Sequence, residues 1–297
     1  MSSPLIPYSD EDLEGITRHL ASLETKISSN YWEHRRHEQR LAPQPSLGLI
    51  RIEGLYKSNL VKPPLFVIFK RPHTKAFWSI RLKRRHALHR IYRKKFEKNV
   101  PQFLRQHFSE YDLAKSEYVF SIIKNFQMSP TRILEIGGGI GLVGHAILQR
   151  FPNAKYFNVD LNEMLPGAAI LARALNPNHN LAYIYNGFGV GNSFYCHNVS
   201  LPTGFFDLGI NLTSFQEMDQ KQINYYMDYL NEVIQPGGYF ISINRDIKIN
   251  KDLKLSFVHN NIPWPKSFKQ IHSEQALISK YSGNKITIST KIFRVTP

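Results

Sequence analysis

A glycine-rich turn between an apolar strand and an apolar helix constrains this chain more than any other feature. Residues 131–147 read TRILEIGGGIGLVGHAI, in which the strand-like run RILEI leads directly into the glycines. Apolar residues resume after Gly141 at the spacing of a helix. A strand that turns sharply on glycines into a helix usually holds a nucleotide-like cofactor. The sequence therefore predicts a cofactor site within an α/β domain.

Strand and helix patterns alternate from residue 109 to about residue 246. Between the strand-like runs lie segments with apolar residues at helical spacing, the longest from Gln216 to Ile234. This alternation predicts a mostly parallel sheet covered by helices on both faces. Two later runs, LKLSFVHN and KITISTKIFRV, predict an antiparallel pair at one edge of that sheet. The five earlier strand-like runs are SPTRILEI, AKYFNVD, LAYIYN, FFDLGIN and YFISIN.

Positive charge is concentrated before this domain. The formal net charge is +15, and twelve Lys or Arg but only one acidic residue, Glu97, lie between Lys70 and Lys98. We therefore divide the chain into a helical, basic N-terminal region, 1–108, and a cofactor-binding domain, 109–297. A field of this sign attracts nucleic acid, acidic lipid headgroups or an acidic glycan. The plainer alternative is a solvated helix face.

Cysteine content and hydropathy indicate a cytoplasmic protein. Cys196 is the only cysteine, so no internal disulfide can form, which fits a reducing compartment. The first residues, MSSPLIPYSDEDLEG, lack the basic and apolar regions of a signal peptide. No apolar run approaches the roughly 20 residues that a membrane span needs.

The histidines do not predict a metal site. His34 and His37, like His86 and His89, are spaced so that both members of a pair could ligate one ion on a helix. Arginines surround both pairs, and their charge would oppose a bound cation. We therefore expect no metal at these histidines. A magnesium-assisted enzyme stays an open alternative, because carboxylates from separate loops leave no local spacing signal.

The residue before the glycines distinguishes between two cofactor classes. The turn fits G-x-G-x-x-G, typical of dinucleotide sites, but also E-x-G-x-G-x-G from Glu135 through Gly137 and Gly139 to Gly141. A carboxylate beside the turn repels a pyrophosphate and favours a cation. S-adenosylmethionine carries a sulfonium and an ammonium, so Glu135 favours S-adenosylmethionine as the cofactor.

Three further residues are candidates for cofactor contact. Asp160 lies 21 residues after Gly139, at the end of the next strand, where an acidic side chain can accept both ribose hydroxyls. The alternative for Asp160 is a helix cap. Leu161 follows it, and Asn211 could touch the methionine end of the cofactor.

Segment 131–246 resembles the class I S-adenosylmethionine-dependent methyltransferases. More narrowly, ILEIGGGIG, FPNAKYFNVDL, FDLGINLTSFQEM and PGGYFISINR resemble the bacterial sugar O-methyltransferase family, found among surface-polysaccharide genes. The resemblance implies a Rossmann-like, mostly parallel seven-stranded sheet with antiparallel C-terminal strands. It also implies methyl transfer to a sugar hydroxyl. Two departures are Leu212–Thr213, where many relatives have a polar residue such as His, and Asn186, which ends the third strand in place of an acid.

The loop after FFDLGIN is expected to line the acceptor pocket. Methyl transfer to a hydroxyl needs alignment and a base that removes a proton. Glu217 is the candidate base, with helix capping as its alternative role. Ser214 and Gln216 could hydrogen-bond the sugar or cap the following helix, and Arg245 could bind an acidic group or be a surface charge.

The leading hypothesis is therefore an O-methyltransferase that modifies a sugar hydroxyl of a bacterial surface glycan or its precursor. The acceptor is a glycan or a lipid-linked saccharide, and residues 70–98 would contact it or an anionic membrane. One alternative is a nucleic-acid methyltransferase that binds phosphates through the same basic stretch. The other is a non-catalytic binding module that keeps the cofactor fold.

Overall fold

The structure is a computed structural model of the 297-residue chain. It describes residues 5–7, 40–44, 49–53, 110–139, 141–160, 165, 168, 172, 181–183, 193–196, 201–250, 255–281 and 286–297.

Helices and strands alternate in the second half of the chain. The helices whose full extent the structure describes are α1 (Glu110–Asn125), α2 (Leu142–Leu148) and α3 (Gln220–Val233). Three short strands come first: β1 (Leu5–Pro7), β2 (Arg40–Gln44) and β3 (Leu49–Glu53). They are followed by β4 (Arg132–Ile136), β5 (Lys155–Val159), β6 (Leu181–Tyr183), β7 (Ser193–Cys196) and β8 (Phe206–Leu212). The last are β9 (Ile234–Arg245), β10 (Ile247–Asn250), β11 (Leu255–Val258), β12 (Phe268–Gln275) and β13 (Ile288–Val295).

An eight-stranded sheet with the order β12-β13-β9-β8-β4-β5-β7-β6 forms the centre of the domain. The pairs from β6 to β9 are all parallel, whereas β13 is antiparallel to both β9 and β12. Parallel strands lie on both sides of β4, and the single reversed strand, β13, lies next to the edge strand β12. This arrangement is that of the class I Rossmann-like α/β fold. The predicted fold class is confirmed.

The number of strands differs from the predicted seven because β7 was not recognised in the sequence. This strand has only four residues and lies between β5 and β6. The strand beside β5 is therefore β7 and not the predicted third strand, the run that ends at Asn186. Asn186 itself lies outside the described residues.

The predicted pairing at the C-terminal edge was also wrong. The run LKLSFVHN contributes β11, which pairs with β10 in a separate two-stranded sheet. The partner of β13 is instead β12, from the stretch between the two predicted runs. Since β12 is an edge strand with mostly exposed side chains, its sequence carries no alternation of buried and exposed residues.

The sheet is covered on both faces. The first core joins α1 and α2 to side chains such as Ile133, Ile210 and Ile241. The second joins α3 to the opposite face, through residues such as Leu134 and Phe240. Burial on both faces explains why the central strands read as nearly continuous apolar runs.

The helix predicted from Gln216 to Ile234 begins four residues later. Residues Phe215–Glu217 form a separate 3-10 turn, and α3 starts at Gln220. Asp219 caps α3 by accepting from the Gln222 backbone N–H, while the Gln222 side chain accepts from the Asp219 N–H. This capping box fixes the start of the helix.

Strands β1, β2 and β3 form a small antiparallel sheet within the N-terminal region. The sequence did not predict these strands. The basic stretch 70–98, the predicted N-terminal helices and both histidine pairs lie outside the described residues. No helix in the described part of the chain is long and apolar enough to cross a bilayer.

Helix α2 packs so closely on β5 that one helical position requires glycine. A Cβ atom on Gly144 would lie 2.3 Å from Cζ of Tyr156. We expect Gly144→Ala to lower the free energy of unfolding by about 1–3 kcal/mol, measured by urea denaturation. In a Tyr156→Ala background, which removes the ring, the same change should have no such cost. Increased stability of the single variant, as alanine's helix propensity alone would give, would contradict this packing.

Candidate active site

The ends of neighbouring strands bring most of the predicted site residues to one edge of the sheet. In the register of the sheet, Ile136 of β4 pairs with Val159 of β5 and with Asn211 of β8. Gly137, Asp160 and the loop after Leu212 therefore follow three adjacent strands. In open α/β sheets, ligands bind outside the carboxyl ends of the strands where their order reverses, here at β4.

Backbone N–H groups of the glycine turn donate hydrogen bonds to acceptors within the protein. The N–H of Gly137 donates to the Val159 carbonyl at 2.7 Å, and that of Gly141 donates to the Gly138 carbonyl at 2.9 Å. The N–H of Gly139 donates to Oδ2 of Asp160 at 2.6 Å. A phosphate-binding turn instead directs such N–H groups at its ligand. Three backbone donors of the turn are thus already bonded within the protein.

Backbone conformation explains the spacing of these glycines. Gly137, Gly139 and Gly141 have φ values of +69°, +56° and +75°, in the left-handed region that side chains disfavour. A Cβ atom on Gly137 would lie 1.9 Å from Oγ of Ser214, whereas one on Gly139 would meet no atom within 4 Å. Gly137 therefore permits contact with the loop after β8, and Gly139 borders open space.

The choice of cofactor assumed that Glu135 lies at the mouth of the turn, but its side chain does not lie there. Its side chain is only 2% exposed, and its Oε2 accepts a hydrogen bond from the Tyr156 hydroxyl at 2.5 Å. Successive side chains of a strand alternate between faces, so Glu135 shares with Ile133 the face covered by α1 and α2. Contact between Glu135 and a cofactor stays a prediction.

Burial raises the pKa of the Glu135 carboxyl from 4.5 to about 7. The hydrogen bond from Tyr156 and the charge of Lys115 oppose this increase, while the nearby Asp160 carboxylate adds to it. Glu135 is consequently an interior acid that changes its charge near neutral pH.

Asp160 is the carboxylate that lies at the turn itself. It is 9% exposed, and its bond to the Gly139 N–H places its negative charge beside the glycines. Its predicted position at the end of the second strand is confirmed, whereas its contact with a ribose stays a prediction. Leu161, the next predicted residue, lies outside the described residues.

Asn158 is a site residue that the sequence analysis missed. It is fully buried below the turn, where Nδ2 donates to the Gly139 carbonyl at 3.3 Å. Its Oδ1 has no hydrogen-bond partner among the described residues. A polar residue inside the otherwise apolar run YFNV was the available signal, since an amide is costly to bury there without a role.

The loop after β8 contacts the turn and carries the predicted acceptor residues. Thr213 has a φ of +60°, which is strained for a β-branched residue and is typical of functional sites. The next residue, Ser214, lies against Gly137. Gln216 is buried, and its Oε1 accepts from the Arg245 backbone N–H at 2.9 Å, so it joins this loop to the end of β9.

A buried polar network fixes the same loop from the α3 side of the sheet. Asn211 donates to the Ile136 carbonyl, and its Oδ1 accepts from the Phe215 N–H and from Nδ2 of Asn244. Asn244 also donates to Oγ of Ser242, which bonds Nε2 of His259.

This network limits what Asn211 can do. Its side chain is fully buried and bonded within the protein, so it positions the strand ends. Contact between Asn211 and a cofactor stays a prediction.

Burial, together with the charge of Lys291, lowers the pKa of His259 to about 3, so its imidazole is neutral at physiological pH.

Glu217 and Arg245 flank the loop. The Glu217 carboxylate is partly exposed and forms an ion pair with Nζ of Lys248 at 3.5 Å. Arg245 ends β9 and is partly exposed. The structure thus brings Ser214, Gln216, Glu217 and Arg245 to one edge of the sheet, where Ser214 lies against the glycine turn. No group of three His, Cys, Asp or Glu side chains suited to a metal occurs in the described ranges.

The chain matches no protein-family model, and no curated protein matches it in sequence. It is similar to the N-methyltransferase NodS from Bradyrhizobium japonicum WM9, solved with S-adenosyl-L-homocysteine (10% identity, 62% of this chain and 88% of that chain, TM-score 0.44). Phosphoethanolamine N-methyltransferase 2 of Haemonchus contortus, solved with S-adenosyl-L-methionine, is 15% identical over 60% of this chain and 52% of that chain (TM-score 0.45). A protein of Pyrococcus horikoshii OT3 is 14% identical over 64% and 92% (TM-score 0.45). Similarity at this level does not decide an activity, so the function has to be inferred from the chain's own site.

The raised pKa of Glu135 predicts a pH-dependent stability. The pKa of Glu135 is about 7 in the folded state and 4.5 when unperturbed. The protonated Glu135 therefore contributes its full stabilisation below about pH 4.5, and this contribution is lost as the pH rises through 7. The loss is on the order of 3 kcal/mol. We expect the free energy of unfolding of the wild type to fall from about pH 5 to about pH 8 relative to Glu135→Gln. Equal pH profiles for the two proteins would contradict the buried acid.

Proposed function

We propose that the chain is an S-adenosylmethionine-dependent methyltransferase. The observation that carries the proposal is the hydrogen bond from the Gly139 N–H to Asp160, at a turn in which the N–H groups of Gly137 and Gly141 are also bonded within the protein. This arrangement leaves a negative charge where a dinucleotide site needs N–H donors for a diphosphate. A cofactor without phosphate and with positive charge fits such a turn.

The described residues fit S-adenosylmethionine in three respects. Asp160 follows β5, where a carboxylate can accept ribose hydroxyls. Open space beside Gly139 allows a ligand to approach the backbone. The Asp160 carboxylate makes the region electronegative, which favours a sulfonium and an ammonium.

When bound, this cofactor supplies an electrophilic methyl group. The chain's own task is to align the acceptor, exclude water and remove a proton from the attacking oxygen. Ser214 contacts the turn and is placed to orient an acceptor beside the cofactor. Glu217 is the proposed base, held by Lys248 on a loop that the Asn211 network fixes.

We propose that the acceptor is a sugar hydroxyl of a glycan or a lipid-linked saccharide. The resemblance of four sequence segments to sugar O-methyltransferases supports this substrate class, and Arg245 offers a cation for an acidic group on it. The proposed setting is the cytoplasmic side of a membrane, with residues 70–98 near anionic headgroups or acceptor.

Cofactor choice is directly measurable. We expect isothermal titration calorimetry to detect binding of S-adenosylmethionine and S-adenosylhomocysteine but not of NAD⁺. Asp160→Asn should weaken S-adenosylmethionine binding about tenfold or more, because hydrogen bonds to a charged group are lost.

Asp207→Asn is the matched control for this substitution. Asp207 lies at the opposite end of the sheet, where its carboxylate likewise accepts from backbone N–H groups, those of Thr131 and Arg132. Its loss should cost stability but not cofactor affinity. Tighter binding of NAD⁺ than of S-adenosylmethionine would refute the proposed cofactor.

The role of Glu217 is testable with sugar acceptors. We expect Glu217→Gln to lower the rate of S-adenosylhomocysteine release, with a panel of glycan fragments and lipid-linked saccharides as acceptors, by about 10²- to 10⁴-fold. Cofactor affinity should stay unchanged. Asp219→Asn, two residues away, is the control, since asparagine also caps a helix well. Wild-type turnover by Glu217→Gln would remove Glu217 from the role of base.

A further inference from the structure

Hydrogen bonds through three buried side chains link His259 to the acceptor loop, residues 213–217. The chain of bonds begins at Asn211, whose Oδ1 accepts from the Phe215 N–H at 3.2 Å and whose Nδ2 donates to the Ile136 carbonyl at 3.0 Å. A backbone N–H can only donate, and a backbone carbonyl can only accept. These two backbone groups therefore fix which way the Asn211 amide points.

The direction of the next bonds follows from this orientation. Because Oδ1 of Asn211 is an acceptor, Asn244 donates to it through Nδ2, at 2.9 Å. Oδ1 of Asn244 then accepts from the Gln216 N–H, a second backbone donor of the loop, at 3.4 Å. The other Nδ2 proton of Asn244 reaches Oγ of Ser242 at 3.1 Å. This hydroxyl accepts there, so its own proton is available for a further bond.

His259 is the acceptor at the end of this chain of bonds. Its Nε2 lies 2.9 Å from Oγ of Ser242, and its Nδ1 lies 2.8 Å from Oγ of Ser289. Since the Ser242 hydroxyl donates, Nε2 carries no proton, and Nδ1 carries the one proton of a neutral ring. An imidazolium has protons on both ring nitrogens and could not accept from Ser242.

The surroundings of the ring favour this neutral form. His259 has no exposed surface, and the rings of Phe257 and Trp264 lie 6.1 and 6.2 Å from it. Two charged residues contact its backbone: Nζ of Lys291 donates to the His259 carbonyl at 3.3 Å, and the Asp246 carbonyl accepts from the His259 N–H. Burial and the charge of the lysine both oppose protonation of the ring.

We propose that His259 is a positioning residue for the acceptor loop. As the neutral Nδ1–H tautomer, it accepts from the Ser242 hydroxyl and so holds Asn244 in the orientation that binds the loop. Two consecutive backbone N–H groups of the loop depend on this orientation, and Glu217 follows them directly. The role in methyl transfer rests on the proposed function, whereas the chain of hydrogen bonds does not.

NMR spectroscopy of the full chain with isotopically labelled histidine tests the tautomer, since it distinguishes protonated from bare ring nitrogens. The signals of His259 are those that are absent from His259→Gln or, should that variant not fold, those that shift in Ser289→Ala. We expect a proton on Nδ1 and none on Nε2 at neutral pH. A proton on Nε2, or on both nitrogens, would overturn the proposal.

Hydrogen exchange of the Phe215 and Gln216 N–H groups reports on the loop without any substrate. We expect His259→Leu, which removes the acceptor, to speed their exchange about five- to tenfold, the effect of one lost hydrogen bond. His259→Gln is of similar size but keeps an acceptor near the position of Nε2, so it should exchange like the wild type. Ser242→Ala breaks the same link without changing the ring and should behave like His259→Leu.

Turnover should follow exchange. With the acceptors used to test Glu217, we expect His259→Leu and Ser242→Ala to lower kcat about tenfold or more, because small displacements misalign the reacting groups. KM for S-adenosylmethionine should stay unchanged. The matched control is Ser279→Ala, which removes another buried hydroxyl, one bonded to the Ile288 backbone, and should match the wild type in exchange and in kcat.

The outcomes separate this inference from the proposed function. Wild-type exchange in both His259→Leu and Ser242→Ala would refute the positioning role, as would equal losses in His259→Leu and His259→Gln. Faster exchange with a wild-type kcat would contradict the role in methyl transfer. If the wild type methylates no acceptor, the proposed function fails, while exchange and the tautomer still decide whether His259 positions the loop.

Discussion

The hydrogen bond between the Gly139 N–H and the Asp160 carboxylate is the interaction on which the candidate site depends. It joins the turn after β4 to the end of β5, across two parallel strands. Because an ionised acceptor makes such a bond strong, it fixes the turn and holds a negative charge there. One contact thus shapes the turn and keeps a carboxylate beside it.

Two buried polar systems support this edge of the sheet from opposite faces. On the side of α1 and α2, Tyr156 holds Glu135, and Asn158 reaches the Gly139 carbonyl. On the side of α3, Asn211 and Asn244 tie the ends of β8 and β9 to the loop that carries Glu217. Each face is closed by its own apolar core. The candidate site residues therefore lie on short loops that rigid strand ends position, an arrangement suited to aligning two substrates.

Local patterns predicted much of this arrangement, and contacts between distant residues account for what was missed. The strand–glycine–helix run located the turn, and the position of Asp160 at the end of the next strand followed from the same alternation. Glu135 was expected at the mouth of the turn, but which face of a strand meets the ligand depends on the helices that pack there. The bonds from His259 to Ser242 and Ser289 span 17 and 30 residues and have no local signature. The polar edge strand β12 lacks one as well.

The central claim is that the turn accepts a cationic, phosphate-free cofactor because its donors are already bonded to the protein. Crystals grown with equal amounts of S-adenosylhomocysteine, the demethylated cofactor, and NAD⁺ test it most directly. The account predicts electron density for S-adenosylhomocysteine, with its ribose hydroxyls at Asp160 and no phosphate at the glycines. Density for a diphosphate bound by the N–H groups of Gly139 and Gly141, with Asp160 displaced, would contradict it.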